Sequence, residues 1–124
     1  MAAALGEPPE RVFKTLVTTG ASGGHYVFVI PVAEELDLKK AAKAVGEKSI
    51  VMLPQKELLT LTGYIHGGCS PIGMKKPFPT VLHESAADCE SICVSAGKIG
   101  YQVELSPRDL AALVRAKFTD LIAE

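Results

Sequence analysis

The chain has 124 residues, 48% of them apolar and 22% charged, with a formal net charge of −1. A chain of this length buries roughly two thirds of the surface that its unfolded form exposes, so residues 1–124 read as one domain that folds without a metal or disulfide. The near-zero charge excludes a global basic field and leaves only local groups, Lys39, Lys40 and Lys43 or Lys75 and Lys76, for nucleic-acid contact.

No apolar run approaches the ~20 residues of a membrane span, and 1–6 is too short for the apolar region of a signal peptide. A cytoplasmic protein with no membrane partner is expected. Cys69, Cys89 and Cys93 are an odd number at spacings that match no common disulfide framework, so reduced thiols are expected. Cys89 and Cys93 lack the C-x2-C spacing of structural zinc sites, whether His66 or His83 is added, and no metal is expected.

In chain order, Glu7-Pro8-Pro9-Glu10 predicts a turn, and Val12–Thr19 is apolar and β-branched enough for a strand. The 20–24 segment, GASGG, turns the chain into a second strand, His25–Val32, whose nearly continuous apolarity implies burial on both faces. A short helix follows from an Asp37 cap to a Gly46 stop, with Leu38, Ala41, Ala42 and Val45 at helical spacing. Ser49–Leu53 predicts a strand. Pro54, placed in the first turn, opens a helix through Leu61.

Further on, Thr80–His83, Ser91–Ser95 and Tyr101–Leu105 have strand character, the last pair separated by a turn at 96–100. Ser106 as cap, Pro107 at the first helical position and Asp109 two residues later predict a final helix to about Ala116, burying Leu110, Leu113 and Val114. Strands without a regular βαβ repeat predict an α+β fold, a mixed β-sheet or small barrel with helices packed outside.

Between the second helix and the next strand lies YIHGGCSPIGMKK, residues 64–76. Three glycines and a proline mark either an ordinary connection or a cradle that lets a ligand approach the backbone. The loop lacks the glycine spacings of phosphate-binding loops and the G-x-S-x-G elbow of hydrolases. Ser70 or Cys69 as nucleophile with His66 or His83 as base stays open, as does a shelf of backbone N–H groups for a carbonyl oxygen.

The segments Arg11-Val12-Phe13-Lys14-Thr15-Leu16, Leu38-Lys39-Lys40-Ala41-Ala42-Lys43-Ala44, Leu61-Thr62-Gly63-Tyr64 with Gly67-Gly68-Cys69-Ser70-Pro71-Ile72-Gly73, and Val94-Ser95-Ala96-Gly97-Lys98 together resemble the YbaK family of aminoacyl-tRNA deacylases, on its Cys-tRNA(Pro) branch. The likeness is collinear over essentially the whole chain. Gly67-x-x-x-Pro71 matches the family's G-x-x-x-P loop, and Lys14 falls on its site lysine.

The resemblance implies an enzyme that clears mischarged Cys-tRNA(Pro), or Cys-tRNA(Cys), with aminoacyl-tRNA and prolyl-tRNA synthetase as partners and no cofactor. Alternatives are a deacylase for alanine or serine on the wrong tRNA and a catalytically silent tRNA- or synthetase-binding module. The substrate's own thiol attacks the ester, while amides around Gly67, Gly68, Cys69 and Ser70 hold the carbonyl. Lys14 faces the terminal phosphate or ribose, and Pro71 and Ser95 line the pocket. Family members carry a further helix and strand ahead of the segment matching Ala2–Gly6, with an aromatic residue that closes the pocket. A chain beginning inside that helix is expected to bind substrate less well and to expose an edge or apolar face that favours a homodimer.

Overall fold

The first two predicted strands form a hairpin, β1 (Phe13–Gly20) and β2 (His25–Pro31), closed where the Gly20 N–H donates to Gly24 O at 2.7 Å and the Gly23 N–H to Gly20 O at 2.9 Å. The computed structural model describes residues 11–64, 70, 78–95 and 102–123. Phe13 lies opposite Pro31 at one end of the hairpin and Thr19 opposite His25 at the other. Val27, Phe28, Val29 and Ile30 are wholly buried. Successive strand side chains point to opposite faces. Val27 and Val29 therefore join one apolar cluster with Phe13, Val17 and Leu82, while Phe28 and Ile30 join a second with Ala41, Ala42 and Leu121.

β1 also pairs antiparallel with the short β3 (Ile50–Met52), and β2 pairs in parallel with β4 (Thr80–His83). β5 (Ile92–Ser95) and β6 (Gln102–Leu105) form a separate antiparallel ladder, linked to the first sheet where Val12 bridges in parallel to Cys93. A further strand, β7 (Lys117–Thr119), which the sequence reading did not anticipate, adds in parallel to β4. The order is β3-β1-β2-β4-β7. The mixed sheet is thus found and the small barrel is not. Among the described residues β3 and β7 stay at opposite edges, and the second ladder meets the first sheet through one bridge rather than closing it.

Helix α1 (Leu38–Val45) has the predicted ends. The Asp37 carboxylate accepts from the Lys39 and Lys40 N–H groups at 2.9 and 3.1 Å, and Gly46 takes the left-handed conformation at φ 76°, which glycine adopts without a Cβ penalty. α2 (Gln55–Thr62) begins after Pro54, which stands just outside the first turn. α3 (Pro107–Val114) starts where the Ser106 hydroxyl accepts from the Arg108 and Asp109 N–H groups. It stops at Val114 instead of Ala116, because Arg115 turns left-handed at φ 55° and redirects the chain into β7.

Leu113, expected in the core, is 63% exposed. Pro107, Leu110, Ala111 and Val114 repeat at i, i+3, i+4 and i+7 and form the packed stripe, from which Leu113 lies to one side. A 3-10 helix, Glu84–Asp88, was also unanticipated and places Ala86 in the first cluster.

The C-terminal segment is fastened to α1 and β4. Lys40 Nζ donates to Asp120 Oδ2 at 2.8 Å and to Ile122 O at 2.9 Å, and the Asp37 N–H donates to Leu121 O at 2.7 Å. The Lys40 hydrogen bond, partly opposed by burial, holds the Asp120 carboxyl below the ordinary carboxylate range.

Leu110→Ala should cost about 2–5 kcal/mol in a urea unfolding experiment, whereas Leu113→Lys should stay within about 0.5 kcal/mol of the parent; equal costs would contradict the packed stripe. The stability that Asp120 contributes is complete above its unfolded value of about 3.9 and is lost as the pH falls through its lower folded value. The gap between parent and Asp120→Asn should therefore be widest near neutrality and close in acid. A gap independent of pH would remove the ion pair from the account.

Candidate active site

Residues 65–77 hold most of the loop that the sequence singles out, and both of its ends are anchored in the first apolar cluster. On the entering side, Thr62 is buried; its hydroxyl donates to Leu58 O at 2.8 Å and accepts the Tyr64 N–H at 3.1 Å. Tyr64 then packs on the cluster. On the leaving side, Phe78 packs on the same cluster and meets the His25 ring edge to face, with centroids 5.6 Å apart. The Val27 N–H donates to Pro79 O at 2.9 Å and ties the exit to β2. Within the loop Ser70 is 3% exposed. Gly67, Gly68, Cys69 and Pro71 lie outside the described residues, as do His66, Lys75 and Lys76.

Lys14 is half-buried on β1, an interior strand of the sheet, opposite Ile30. Ser95 is half-buried at the end of β5, opposite Gln102. The bridge between Val12 and Cys93 lies two residues before each of them, so Lys14 and Ser95 follow from one point of contact between the two sheets. Alternation sends the Lys14 side chain to the face of Ile30 and the Thr15 side chain to the face of Val29, the one that carries the loop's anchors. The structure thus sets Lys14 and the loop anchors on different faces of the same strands.

Two polar atoms near these positions were missed by sequence reasoning. Thr15 Oγ1 and Gln102 Oε1 are buried and have no hydrogen-bond partner among the described residues. Such atoms are costly unless a ligand or water satisfies them. Thr15 could have been picked out by its place next to Lys14 and Gln102 by being the one amide in the strand 101–105; neither has a motif of its own.

Several candidates take structural roles. His83 is buried, and its Nδ1 accepts the Leu121 N–H at 3.1 Å, so that nitrogen carries no proton and is already occupied. Asp120 Oδ1 stands 3.8 Å from it, beyond hydrogen-bond reach. Alternation with Val81 puts His83 on the α1 face, away from the loop anchors Tyr64 and Phe78. Cys89 and Cys93 are thiols rather than a disulfide. Among the described residues no group of His, Cys, Asp and Glu could hold a metal ion, and no helix is long and apolar enough to cross a membrane.

Comparison with known proteins gives this arrangement a context. The aminoacyl-tRNA editing domain family matches residues 1–113. A protein of Enterococcus faecalis (strain ATCC 700802 / V583), provisionally named Cys-tRNA(Pro)/Cys-tRNA(Cys) deacylase EbsC, is 53% identical over 121 residues, which are 98% of this chain and 74% of the relative. A crystal structure described provisionally as a trans-editing enzyme for prolyl-tRNA synthetase is 30% identical, with a TM-score of 0.89 over 99% of this chain and 77% of its own. Another, of a hypothetical protein, is 26% identical with a TM-score of 0.90 over 98% and 81%. With a family match over nearly its whole length, a relative sharing half its residues and the same fold in both structures, the chain belongs to the aminoacyl-tRNA editing domain family.

Proposed function

We propose that the chain is a trans-editing deacylase that releases cysteine from mischarged tRNA(Pro), and from tRNA(Cys), through the thiol of the substrate itself. The observation that carries the site is the G-x-x-x-P loop, its flanks Tyr64 and Phe78 packed into one apolar cluster and its Ser70 buried. Backbone amides stabilise a developing oxyanion only if they are held in place beforehand, and both ends of this loop are so held. The relative at 53% identity bears the matching name.

The cysteinyl thiol loses its proton, and its sulfur attacks the ester carbonyl carbon. The carbon–oxygen bond to the terminal ribose then breaks. The ribose oxygen takes up the proton, and the amino acid leaves as a cyclic thiolactone that water opens to cysteine. Amides of Gly67, Gly68, Cys69 and Ser70 donate hydrogen bonds to the oxyanion of the tetrahedral stage. Lys14 supplies a point charge to the terminal phosphate or ribose, and Pro71 and Ser95 shape the pocket. Gln102, opposite Ser95 and with a buried oxygen that lacks a partner among the described residues, accepts a hydrogen bond from the substrate's ammonium group in this reading. Prolyl-tRNA synthetase is the expected partner, since it generates the error.

Release of radiolabelled amino acid from Cys-tRNA(Pro), Cys-tRNA(Cys), Ala-tRNA(Pro) and Ser-tRNA(Pro) by the purified chain tests the reading. Rapid loss of cysteine alone is expected. Faster release of alanine or serine would favour the other editing specificities, and rates equal to buffer would leave a binding module. Lys14→Ala should lower cysteine release at least tenfold, about 1.4 kcal/mol of transition-state stabilisation, without changing the melting temperature; unchanged turnover would take Lys14 out of the site. Cys69→Ala should retain most of the activity, because the reacting sulfur belongs to the substrate. A covalent adduct trapped on Cys69 would overturn that mechanism.

A further inference from the structure

On the α1 face of the sheet lies a groove that the reaction above does not use. It measures about 490 Å³, is floored by Val45, Pro79 and Val81, and is rimmed by Tyr26, Arg115 and Lys117. Each rim residue is held or spent in a way that favours a ligand. The Tyr26 phenol donates to Glu47 at 2.6 Å, and the same carboxylate accepts from the Ser22 hydroxyl, so the ring is braced. The hydrogen bond to Glu47, with burial, raises the phenol's pKa and keeps the ring neutral. Lys117 donates to Ala44 O and fixes the C-terminal end of α1 as one wall. Arg115 occupies a left-handed conformation, φ 55° and ψ 42°, that disfavours residues with a Cβ, yet it presents an exposed cation there.

The surrounding charge is predominantly positive. Lys43 and Lys48 are exposed at the same end of α1, and the neighbouring carboxylate, Glu47, is committed to Ser22 and Tyr26. A braced aromatic ring, an apolar floor and a rim of cations are the components with which proteins hold single-stranded nucleic acid, whose bases stack while its phosphates pair with the cations.

We propose that this groove seats the unpaired 3′ strand of the tRNA, one base lying against Tyr26 and the apolar floor and the flanking phosphates against Arg115 and Lys117. The proposal rests on the deacylase reading for the identity of the RNA. The sheet register relates the groove to Lys14. Lys14 lies opposite Ile30, and Ile30, Phe28 and Tyr26 alternate onto one face, so Tyr26 sits four residues along β2 from Lys14, about 13 Å in a straight line that runs beneath α1. A strand that joins the two positions therefore passes around the helix. Ala41 and Ala42 of α1 cover the middle of this face, where Phe28 and Ile30 are buried, and the exposed Lys39 and Lys43 border the path outside the helix.

Fluorescence anisotropy with uncharged tRNA(Pro), intact or lacking its four unpaired 3′ nucleotides, tests the groove independently of catalysis. The variant is Arg115→Gly, which removes the cation while suiting the left-handed backbone, so its melting temperature should hold or rise. The parent should bind intact tRNA at least threefold more tightly than the truncated form. Arg115→Gly should lose that difference, bind truncated tRNA as the parent does, and show a salt dependence shallower by about 0.7 in log–log slope. Parental affinity and slope in Arg115→Gly would overturn the proposal, as would an equal loss on truncated tRNA or a parent indifferent to truncation. Cysteine release measured alongside separates the two readings: a chain that binds as described and releases nothing removes the deacylase while keeping the groove.

Discussion

The complete burial of Val27, Phe28, Val29 and Ile30 on both sides of β2 is the constraint from which the other features of the fold follow. A strand with apolar side chains on both faces needs a cover on each, and burying one such side chain is worth about 1.5–3 kcal/mol. One cover is α1 with the C-terminal segment around Leu121; the other includes Leu58 of α2, Leu110 of α3 and Ile92 and Val94 of β5. With the sheet sandwiched in this way, the hairpin partner β1 cannot shift by one residue without turning Phe13 and Val17 away from their cluster. That fixed register determines where Lys14 and Thr15 point.

Elements whose signals are local were legible from sequence. Asp37 and Gly46 bound α1 because a carboxylate cap and a left-handed glycine act within one turn of the helix. The β1–β2 hairpin is announced by its own composition, and Ser106 caps α3 as its spacing implies. β7 was not legible. Lys117-Phe118-Thr119 is only three residues long and becomes a strand because β4 offers an unpaired edge, a tertiary circumstance with no local mark. Leu110, Leu113 and Val114 do not share one face: the repeat through Pro107, Leu110, Ala111 and Val114 is narrower and leaves Leu113 outside it. A closed barrel would need register along the whole length of β1's free edge, and β3 and β5 each take only part of that edge.

The candidate site was legible as residue types and not as an arrangement. Lys14 and the glycine loop stand out in sequence, whereas Thr15 and Gln102 do so only when burial shows their oxygens without partners among the described residues. His83 illustrates the reverse. A histidine near a serine and a cysteine in sequence invites a nucleophile–base pair, yet its accepting nitrogen is occupied by the Leu121 amide, so the ring holds the C-terminal segment in place. The ring's structural role leaves His66, outside the described residues, as the other histidine that the sequence offers for such a pair.

A backbone shelf suits an editing task for a reason rooted in magnitudes. A pocket built for proline rejects a compact cysteine weakly, because a missing apolar group is worth only about 1–3 kcal/mol. The editing site has the converse problem: it must act on cysteine while sparing an amino acid of similar size, and another pocket would meet the same limit. In the proposed reaction the substrate's thiol as nucleophile moves the discrimination from fit to chemistry, since proline has no group that can take the attacking role. The protein then needs only to hold the ester and its RNA still. The anchoring of the loop's two ends at Tyr64 and Phe78 suits the first of those tasks. In that proposed scheme the substrate supplies the discrimination, and affinity comes from the part that every tRNA shares, its charged and unpaired 3′ end.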